Sequence, residues 1–204
     1  MIAKAMSQRI VISCGINGSE LAVFNQVACD AFALFKKNHD AQINKYSEIS
    51  CWNVDHCIHY FIFLQSQLYT IGYHQLSEKV YYYLRTNFNI DVFPSRILPE
   101  NFLFMHPLGS ILGNAQYGNY LVVYQSVTIG GNPKLEYPII GEGTVFFAGA
   151  KVIGESKIGK NAIIGASVTI NNEDIPDNTV CFLDRENRRQ FKLNKQSNRK
   201  SYFR

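Results

Sequence analysis

The sequence lacks the marks of a membrane-spanning or exported protein. Its longest apolar run near the middle, residues 60–64, is far shorter than the roughly 20 residues that a spanning helix needs. The first 15 residues, MIAKAMSQRIVISCG, contain no apolar core of the length found in signal peptides. We therefore expect a cytoplasmic protein with no transmembrane segment.

Motifs that bind nucleotides are missing too. Neither G-x-x-x-x-G-K-[ST] nor G-x-G-x-x-G occurs, so the sequence predicts neither a P-loop nor a dinucleotide-binding fold. The net charge of +4 is too small to indicate binding to nucleic acid. With 47% hydrophobic and 18% charged residues, the composition is typical of a soluble globular protein with a hydrophobic core.

Cysteine is scarce and follows no disulfide or zinc spacing. The five cysteines are an odd number, contain no C-x-x-C pair and suit the reduced thiols of a cytosolic protein. The segment CWNVDHCIH brings together Cys51, His56, Cys57 and His59, which makes a zinc site conceivable. Because the ligand spacing of zinc sites is missing and the surroundings look helical, we expect buried thiols and imidazoles there, and no metal.

Residues 1–90 are predicted to form a helical N-terminal domain. Apolar residues recur at helical spacing in three segments. Ser19 and Ser77 are candidate N-caps, and Gly72 is expected to mark a bend. The predicted helices cover residues 19–38, 56–76 and 77–89.

After residue 90 the period changes to six. Steps of six from Ile140 meet only aliphatic or aromatic residues as far as Ile170, and glycines punctuate the series. This period fits neither a helix nor ordinary strand alternation and is typical of a β-helix, in which three hexapeptides make one triangular coil. The periodic residues are Ile111, Tyr117, Val123 and Ile129 in a first series, and Ile140, Phe146, Val152, Ile158, Ile164 and Ile170 in a second.

The two series are out of phase, and the break falls at residues 131–139, GNPKLEYPI. In this geometry a phase break predicts a loop ejected from the coil, and such loops commonly shape a site. A β-sandwich of short strands would explain the glycines but not a register held over five steps of six residues. We therefore predict an α+β chain in which a left-handed parallel β-helix, residues 91–183, follows the helical region.

Particular segments within this pattern resemble a known family. YQSVTIGGN, FFAGAKVIGESKIGKNAIIGASVTI and DIPDNTV resemble the hexapeptide-repeat acyltransferases, and most of all the serine O-acetyltransferases. The resemblance covers about residues 60–180 and is strong in the β-helix, whereas in the helical half only order and length agree. It implies an O-acetyltransferase that moves an acetyl group from acetyl-CoA to a hydroxyl.

The resemblance also implies a general base. In the family this is a histidine in a DHATG-like segment, oriented by an aspartate fifteen residues earlier in a VDIHP-like segment. Here MHPLG supplies His106 and IDVFP supplies Asp91, also fifteen residues apart. An imidazole is a competent base when one nitrogen donates to a carboxylate and the other is free to accept a proton. We therefore predict catalytic roles for both residues.

A groove for acetyl-CoA follows from the same resemblance. Family members lay it between two β-helices of a trimer, where small residues let the pantetheine arm approach the backbone. The matching positions are Gly131, Ala148 and Ala166, although small residues also suit the corners of coils. The resemblance thus implies a homotrimer, with a hexamer through the helical half as a further option.

The acceptor positions depart from the family. Met105 replaces its acidic residue before the base, and Glu136 and Tyr137 replace the Arg-His pair of the ejected loop, DRHPKI. A free amino acid needs a carboxylate for its ammonium group and cations for its carboxylate, because unpaired buried charges are costly. Glu136 and Tyr137 suit hydroxyls and sugar rings instead. These residues favour a carbohydrate acceptor, with serine as the first alternative and a non-catalytic trimeric scaffold as the second.

The C-terminal segment, residues 184–204, departs as well. Between residues 185 and 204 it carries eight Lys or Arg against one Glu, a net +7, which leaves −3 for the rest of a chain whose total is +4. The default expectation is a solvated basic tail. The functional alternatives are help in holding the CoA phosphates and attraction to an anionic polymer.

Overall fold

The computed structural model describes residues 2–43 and 48–204. The chain divides into two compact units. The first comprises the described residues of 1–40 and 44–97, and the second comprises residues 41–43 and 98–204. None of the described helices is long and apolar enough to cross a bilayer.

The first unit is built of helices. These are α1 (Ile2–Ser13), α2 (Gly18–Ala41), α3 (Val54–Thr70) and α4 (His74–Phe88), and the short strand β1 (Asp91–Val92) follows them. The N-cap of α3 is Asn53, whose side-chain oxygen accepts hydrogen bonds from the backbone N–H groups of Asp55 and His56 at 2.9 and 3.2 Å. Gly72, with a φ of 89°, lies in the turn between α3 and α4, where the bend was expected.

The predicted helix caps were wrong. Ser77 lies inside α4, fully buried, and its hydroxyl donates to the carbonyl oxygen of Gln65 on α3 at 2.6 Å. Ser19 lies inside α2, which begins one residue earlier. Helix α1 was not predicted at all, although its residues Met6 and Ile10 are fully buried. Each of these features depends on contacts between helices, which a propensity pattern does not contain.

Three buried histidines lie side by side in this unit. His39 belongs to α2, and His56 and His59 belong to α3. The ring centroids of His39 and His56 are 5.1 Å apart, and the ring of Phe35 packs against all three imidazoles. Burial lowers the pKa of His56 and of His59 to about 4 and raises the pKa of the Cys57 thiol to about 11. Among the described residues, no group of three or more His, Cys, Asp or Glu side chains is placed to hold a metal ion.

The second unit is a parallel β-helix, as predicted. Its strands are β2 (Phe102–Met105), β3 (Ile111–Leu112), β4 (Gln116–Tyr117), β5 (Leu121–Tyr124), β6 (Thr128–Gly130), β7 (Ile139–Ile140), β8 (Val145–Phe146), β9 (Lys151–Ile153), β10 (Lys157–Ile158), β11 (Ile163–Ile164), β12 (Thr169–Asn171) and β13 (Thr179–Leu183). They pair in parallel as three faces: β3–β6–β9–β12, β4–β7–β10 and β2–β5–β8–β11–β13.

Inward-facing side chains stack in columns through the coils. Every member of the predicted series from Ile140 to Ile170 is at most 2% exposed. The first predicted series is wrong at one end, because Ile111 is 46% exposed and its neighbour Leu112 is fully buried. Inward-facing residues on successive faces of the coil are normally six positions apart. Leu112 and Tyr117 are only five positions apart, and this shorter step shifts the hexapeptide register by one residue.

The ejected loop is present where the phase break predicted it. Register pairs Ile129 with Val152 and Val152 with Ile170, so the coil that contains the loop has 152 − 129 = 23 residues and the next has 170 − 152 = 18. The five extra residues belong to the segment between β6 and β7.

The expectation of a solvated C-terminal tail was wrong. The chain turns back after β13 into the antiparallel strand β14 (Arg189–Leu193) and then forms helix α5 (Asn198–Tyr202). Residues 194–204, the C-terminal strap, end with Phe203 buried at 2% exposure. The side chain of Asn198 donates to the carbonyl oxygens of Gly143 and Ala162 at 2.9 and 3.1 Å. The basic residues of the strap are exposed, whereas Asn198 and Phe203 are buried and anchor it. The charge count alone therefore predicted a solvated tail.

Acid should weaken the first unit through the buried imidazoles. In an unfolded chain a histidine titrates near 6.5, whereas His56 and His59 titrate near 4 when folded. The unfolded state therefore binds more protons between these values. The stability contribution is complete above about pH 6.5 and declines towards pH 4, by up to about 1.4 kcal/mol per pH unit for each ring. Urea unfolding followed by circular dichroism between pH 7.5 and 4.5 measures this slope.

A double variant isolates the histidine part of that slope. His56→Gln combined with His59→Gln should flatten the decline, whereas the exposed His74→Gln on α4 should leave it unchanged. A double variant that loses stability on acidification as steeply as the parent would contradict the assignment.

The strap should stabilise the β-helix through Asn198. Asn198→Ala removes the donor to the buried carbonyl oxygen of Gly143 and one of two donors to that of Ala162, which keeps the N–H of Val145. We expect the unfolding free energy to fall by about 1–3 kcal/mol. Gln196→Ala, two residues away and exposed, is the matched control. Equal urea midpoints for the two variants would show that the strap contributes nothing through this side chain.

Candidate active site

His106 lies in an enlarged corner of the first coil. It follows the last residue of β2, is exposed, and has a φ of 52°, a left-handed conformation that is uncommon outside glycine. Met105 pairs with Tyr124 and Ile111 pairs with Thr128, so five residues, 106–110, span a corner for which the next coil uses three. The two extra residues set this corner apart from those of the coils that follow.

The backbone of this corner is held firmly. The N–H of Ser126 donates to the carbonyl oxygen of Leu108 at 3.0 Å. The fully buried Ser110 joins the two coils, because its hydroxyl donates to the carbonyl oxygen of Tyr124 at 3.0 Å and accepts from the N–H of Val127 at 3.1 Å. A reactive side chain on such a support keeps its position.

His106 shares its edge of the β-helix with two of the predicted CoA positions. The paired strands β2, β5, β8 and β11 each contain one inward-facing residue of the same column, and the residue two positions after it lies at the corner. These corner residues, here called the histidine edge, are His106, Gln125, Ala148 and Ala166. The N–H of Gly149 donates to the carbonyl oxygen of Gln125 at 2.9 Å, which keeps the coils in step. Gln125 was not predicted, since only stacking of the coils places it between His106 and the alanines.

The other predicted positions lie on a different edge, in the ejected loop. An added Cβ at Gly131 would lie 2.7 Å from a ring carbon of Tyr137, so the tyrosine fills the space that the glycine leaves open. The carboxylate of Glu136 accepts a hydrogen bond from the side chain of Asn132 at 2.6 Å. Strand β6 separates this loop from the histidine edge. The structure therefore brings Gly131, Glu136 and Tyr137 together, but not with Ala148 and Ala166 of the same chain.

A cavity of about 190 Å³, here called the loop pocket, lies beneath this loop. It is lined by Glu136, Tyr137, Ile139, Glu155, Ser156 and Lys157. Glu155 and Lys157 belong to the next coil and were not predicted, because they lie about twenty residues from the loop in sequence. Pairing of Ile139 with Lys157 brings them beneath it.

Met105 is directed elsewhere. It is half-buried and packs against an apolar cluster whose buried members include Val122, Val145 and the strap residue Phe203. Tyr124 packs against the same cluster. The residue before the predicted base thus contributes to the attachment of the strap, and its role towards an acceptor stays a prediction.

Asp91 belongs to the first unit, in β1. Its carboxylate accepts a hydrogen bond from the hydroxyl of Tyr81 at 2.8 Å and lies 3.6 Å from the guanidinium of Arg85, both on α4. Burial, followed by this hydrogen bond and the aspartate charge, raises the pKa of Tyr81. One hydrogen bond and one ion pair thus hold the aspartate, and its pairing with His106 stays a prediction.

Comparison with known proteins places these features in context. The family model described as bacterial transferase hexapeptide (six repeats) matches residues 137–172. The serine acetyltransferase of Synechococcus elongatus is 34% identical over 95 residues, which are 45% of this chain and 39% of that protein. The matched segment thus spans about two fifths of the length of this relative.

Solved structures match over most of the chain. The serine acetyltransferase of Vibrio cholerae superposes with a TM-score of 0.74 at 19% identity, over 98% of this chain and 81% of that one. Soybean serine acetyltransferase complexed with serine gives a TM-score of 0.69 at 20% identity, over 94% and 84%. These likenesses confirm the fold, a helical region followed by a β-helix. With the sequence matches, they confirm the predicted resemblance to the hexapeptide-repeat acyltransferases and, among them, to the serine acetyltransferases.

Proposed function

We infer that the protein is an acetyl-CoA-dependent O-acetyltransferase and that its acceptor is serine. The observation that carries the inference is His106, an exposed imidazole on a firmly held corner at the head of an edge whose last two positions are alanines. Similarity to serine acetyltransferases favours serine, the alternative acceptor in the sequence analysis, over the carbohydrate that Met105, Glu136 and Tyr137 suggested.

Acetyl-CoA fits the histidine edge by shape. From His106 to Ala166 the edge crosses three coil steps, about 14 Å at the usual strand spacing. Ala148 and Ala166 are partly or fully exposed and carry only a methyl group, so an extended pantetheine arm can approach the coil backbone there. The thioester would then lie beside His106 in the first coil.

In the proposed acetyl transfer, His106 acts as the general base. The neutral imidazole of His106 accepts the proton of the acceptor hydroxyl while the hydroxyl oxygen attacks the thioester carbonyl carbon. The tetrahedral intermediate then collapses, the carbon–sulfur bond breaks, and the imidazolium returns the proton to the leaving thiolate. Asp91 would favour the imidazolium by its charge. The products are an acetyl ester and CoA thiol.

The separation of the two edges supports a homotrimer. Within one chain β6 separates the histidine edge from the ejected loop, and therefore the loop of one chain does not complete a site with its own His106. A neighbouring chain that presents its loop to the histidine edge would complete it, and three-fold symmetry would make three equivalent sites.

An acceptor panel tests the function. Release of CoA thiol from acetyl-CoA is measured with L-serine, monosaccharides and oligosaccharides. We expect saturable turnover with serine, on the order of 10 per second, and little with the sugars. Faster turnover with a sugar would restore the carbohydrate acceptor. No release with any acceptor, from a protein that binds acetyl-CoA, would support the non-catalytic scaffold.

The catalytic assignment is tested by substitution of the base. His106→Ala should lower turnover about a hundredfold to ten-thousandfold, the usual contribution of a positioned general base. Acetyl-CoA binding and the melting temperature should change little, because the edge is largely backbone and small side chains. His74→Ala, also an exposed histidine, is the control.

The aspartate should act only through the histidine. Asp91→Asn should lower turnover, and its effect should nearly vanish in a chain that already carries His106→Ala. If His106→Ala folds, binds acetyl-CoA and retains turnover within about threefold of the parent, well short of a general-base loss, His106 is not the base.

A further inference from the structure

The loop pocket combines charges of both signs around one small cavity. Glu136 comes from the ejected loop, and Glu155 and Lys157 come from the coil beneath it. None of the three forms an ion pair with another among the described residues. Its volume of about 190 Å³ equals that of about six water molecules at roughly 30 Å³ each, which suits a small polar molecule.

An asparagine clamp holds the two glutamates around this cavity. Asn172 Oδ1 accepts hydrogen bonds from the side chain of Asn132 at 3.2 Å and from the backbone N–H of Glu155 at 3.0 Å. Asn132 in turn donates to the carboxylate of Glu136 at 2.6 Å. Two linked side-chain amides thus connect the loop carboxylate to the backbone of the second glutamate.

Gly154 makes the clamp possible. Its φ is 71°, and an added Cβ would lie 2.1 Å from Asn172 Oδ1 and 3.0 Å from Asn132 Nδ2. Any side chain at this position would therefore push the two amides apart. The glycine, the two asparagines and Glu136 form one connected arrangement that presents a carboxylate to the cavity.

We propose that the loop pocket binds the charged groups of an α-amino acid acceptor, with Glu136 and Glu155 facing its ammonium group and Lys157 facing its carboxylate. This rests on the proposed acetyl transfer to serine and names the residues that select serine. Charge-assisted hydrogen bonds that an ammonium group donates to a carboxylate are stronger than those between neutral groups. In the resembled family, the position of Met105 is acidic and the ejected loop carries an Arg-His pair. Here the loop itself supplies a carboxylate, that of Glu136.

Three related acceptors separate the two charges. L-serine carries both groups, glycerate has a hydroxyl in place of the ammonium group, and ethanolamine lacks the carboxylate. Glu136→Gln and Glu155→Gln should each lower kcat/KM about tenfold or more for serine and ethanolamine, chiefly through KM, and leave glycerate unchanged. Lys157→Met should lower kcat/KM for serine and glycerate and leave ethanolamine unchanged.

Matched controls lie on another edge of the same β-helix. Glu142→Gln and Lys160→Met remove the same charges from exposed positions outside the loop pocket, and all three acceptors should keep their kcat/KM within about twofold. Gly154→Ala should disturb the clamp and imitate the loss of the glutamates without removal of a charge.

The outcomes distinguish this proposal from the function on which it rests. If the parent acetylates serine and the pocket variants keep kcat/KM within twofold for all three acceptors, the pocket assignment is overturned and the function stands. If no acceptor is acetylated, calorimetric titration with L-serine decides: binding lost in Glu136→Gln and Glu155→Gln supports the pocket alone, and no binding to the parent overturns both.

Discussion

Parallel pairing between successive coils fixes where the side chains of the β-helix strands β2 to β13 lie. Each residue is placed above its counterpart one coil on, so a position chosen at one corner recurs along a whole edge. Phe104, Val123, Phe146, Ile164 and Cys181 form one buried column in this way. The same register that builds the core turns isolated residues such as Ala148 and Ala166 into a continuous edge that begins at His106.

The candidate site residues lie where the repeat is interrupted. The first corner, which contains His106, has two extra residues, and five extra residues between β6 and β7 form the loop over the loop pocket. Both interruptions are fixed to regular coils by buried or clamped side chains, Ser110 at the first and Asn172 at the second. A regular scaffold thus supports two irregular segments on different edges.

The sequence predicts what repeats and misses what depends on distant contacts. A period of six identified the β-helix and its break located the loop. Resemblance to a family motif with a spacing of fifteen residues singled out Asp91 and His106. Glu155 and Lys157 had no such signal, because only stacking of coils brings them beneath the loop. The strap was mistaken for a solvated tail, since its basic surface dominates the composition and its anchors, Asn198 and Phe203, are two residues among many.

We propose that each site uses the histidine edge of one chain and the loop of another. Co-expression of His106→Ala with the double variant Glu136→Gln and Glu155→Gln, each carrying its own tag, tests it in purified mixed trimers. Every mixed trimer, whichever variant contributes two chains, has about a third of its sites with an intact His106 from one chain and an intact loop from its neighbour. Activity near a third of the parent's is the predicted result. Activity no higher than the average of the two variants alone would show that each site is built within a single chain.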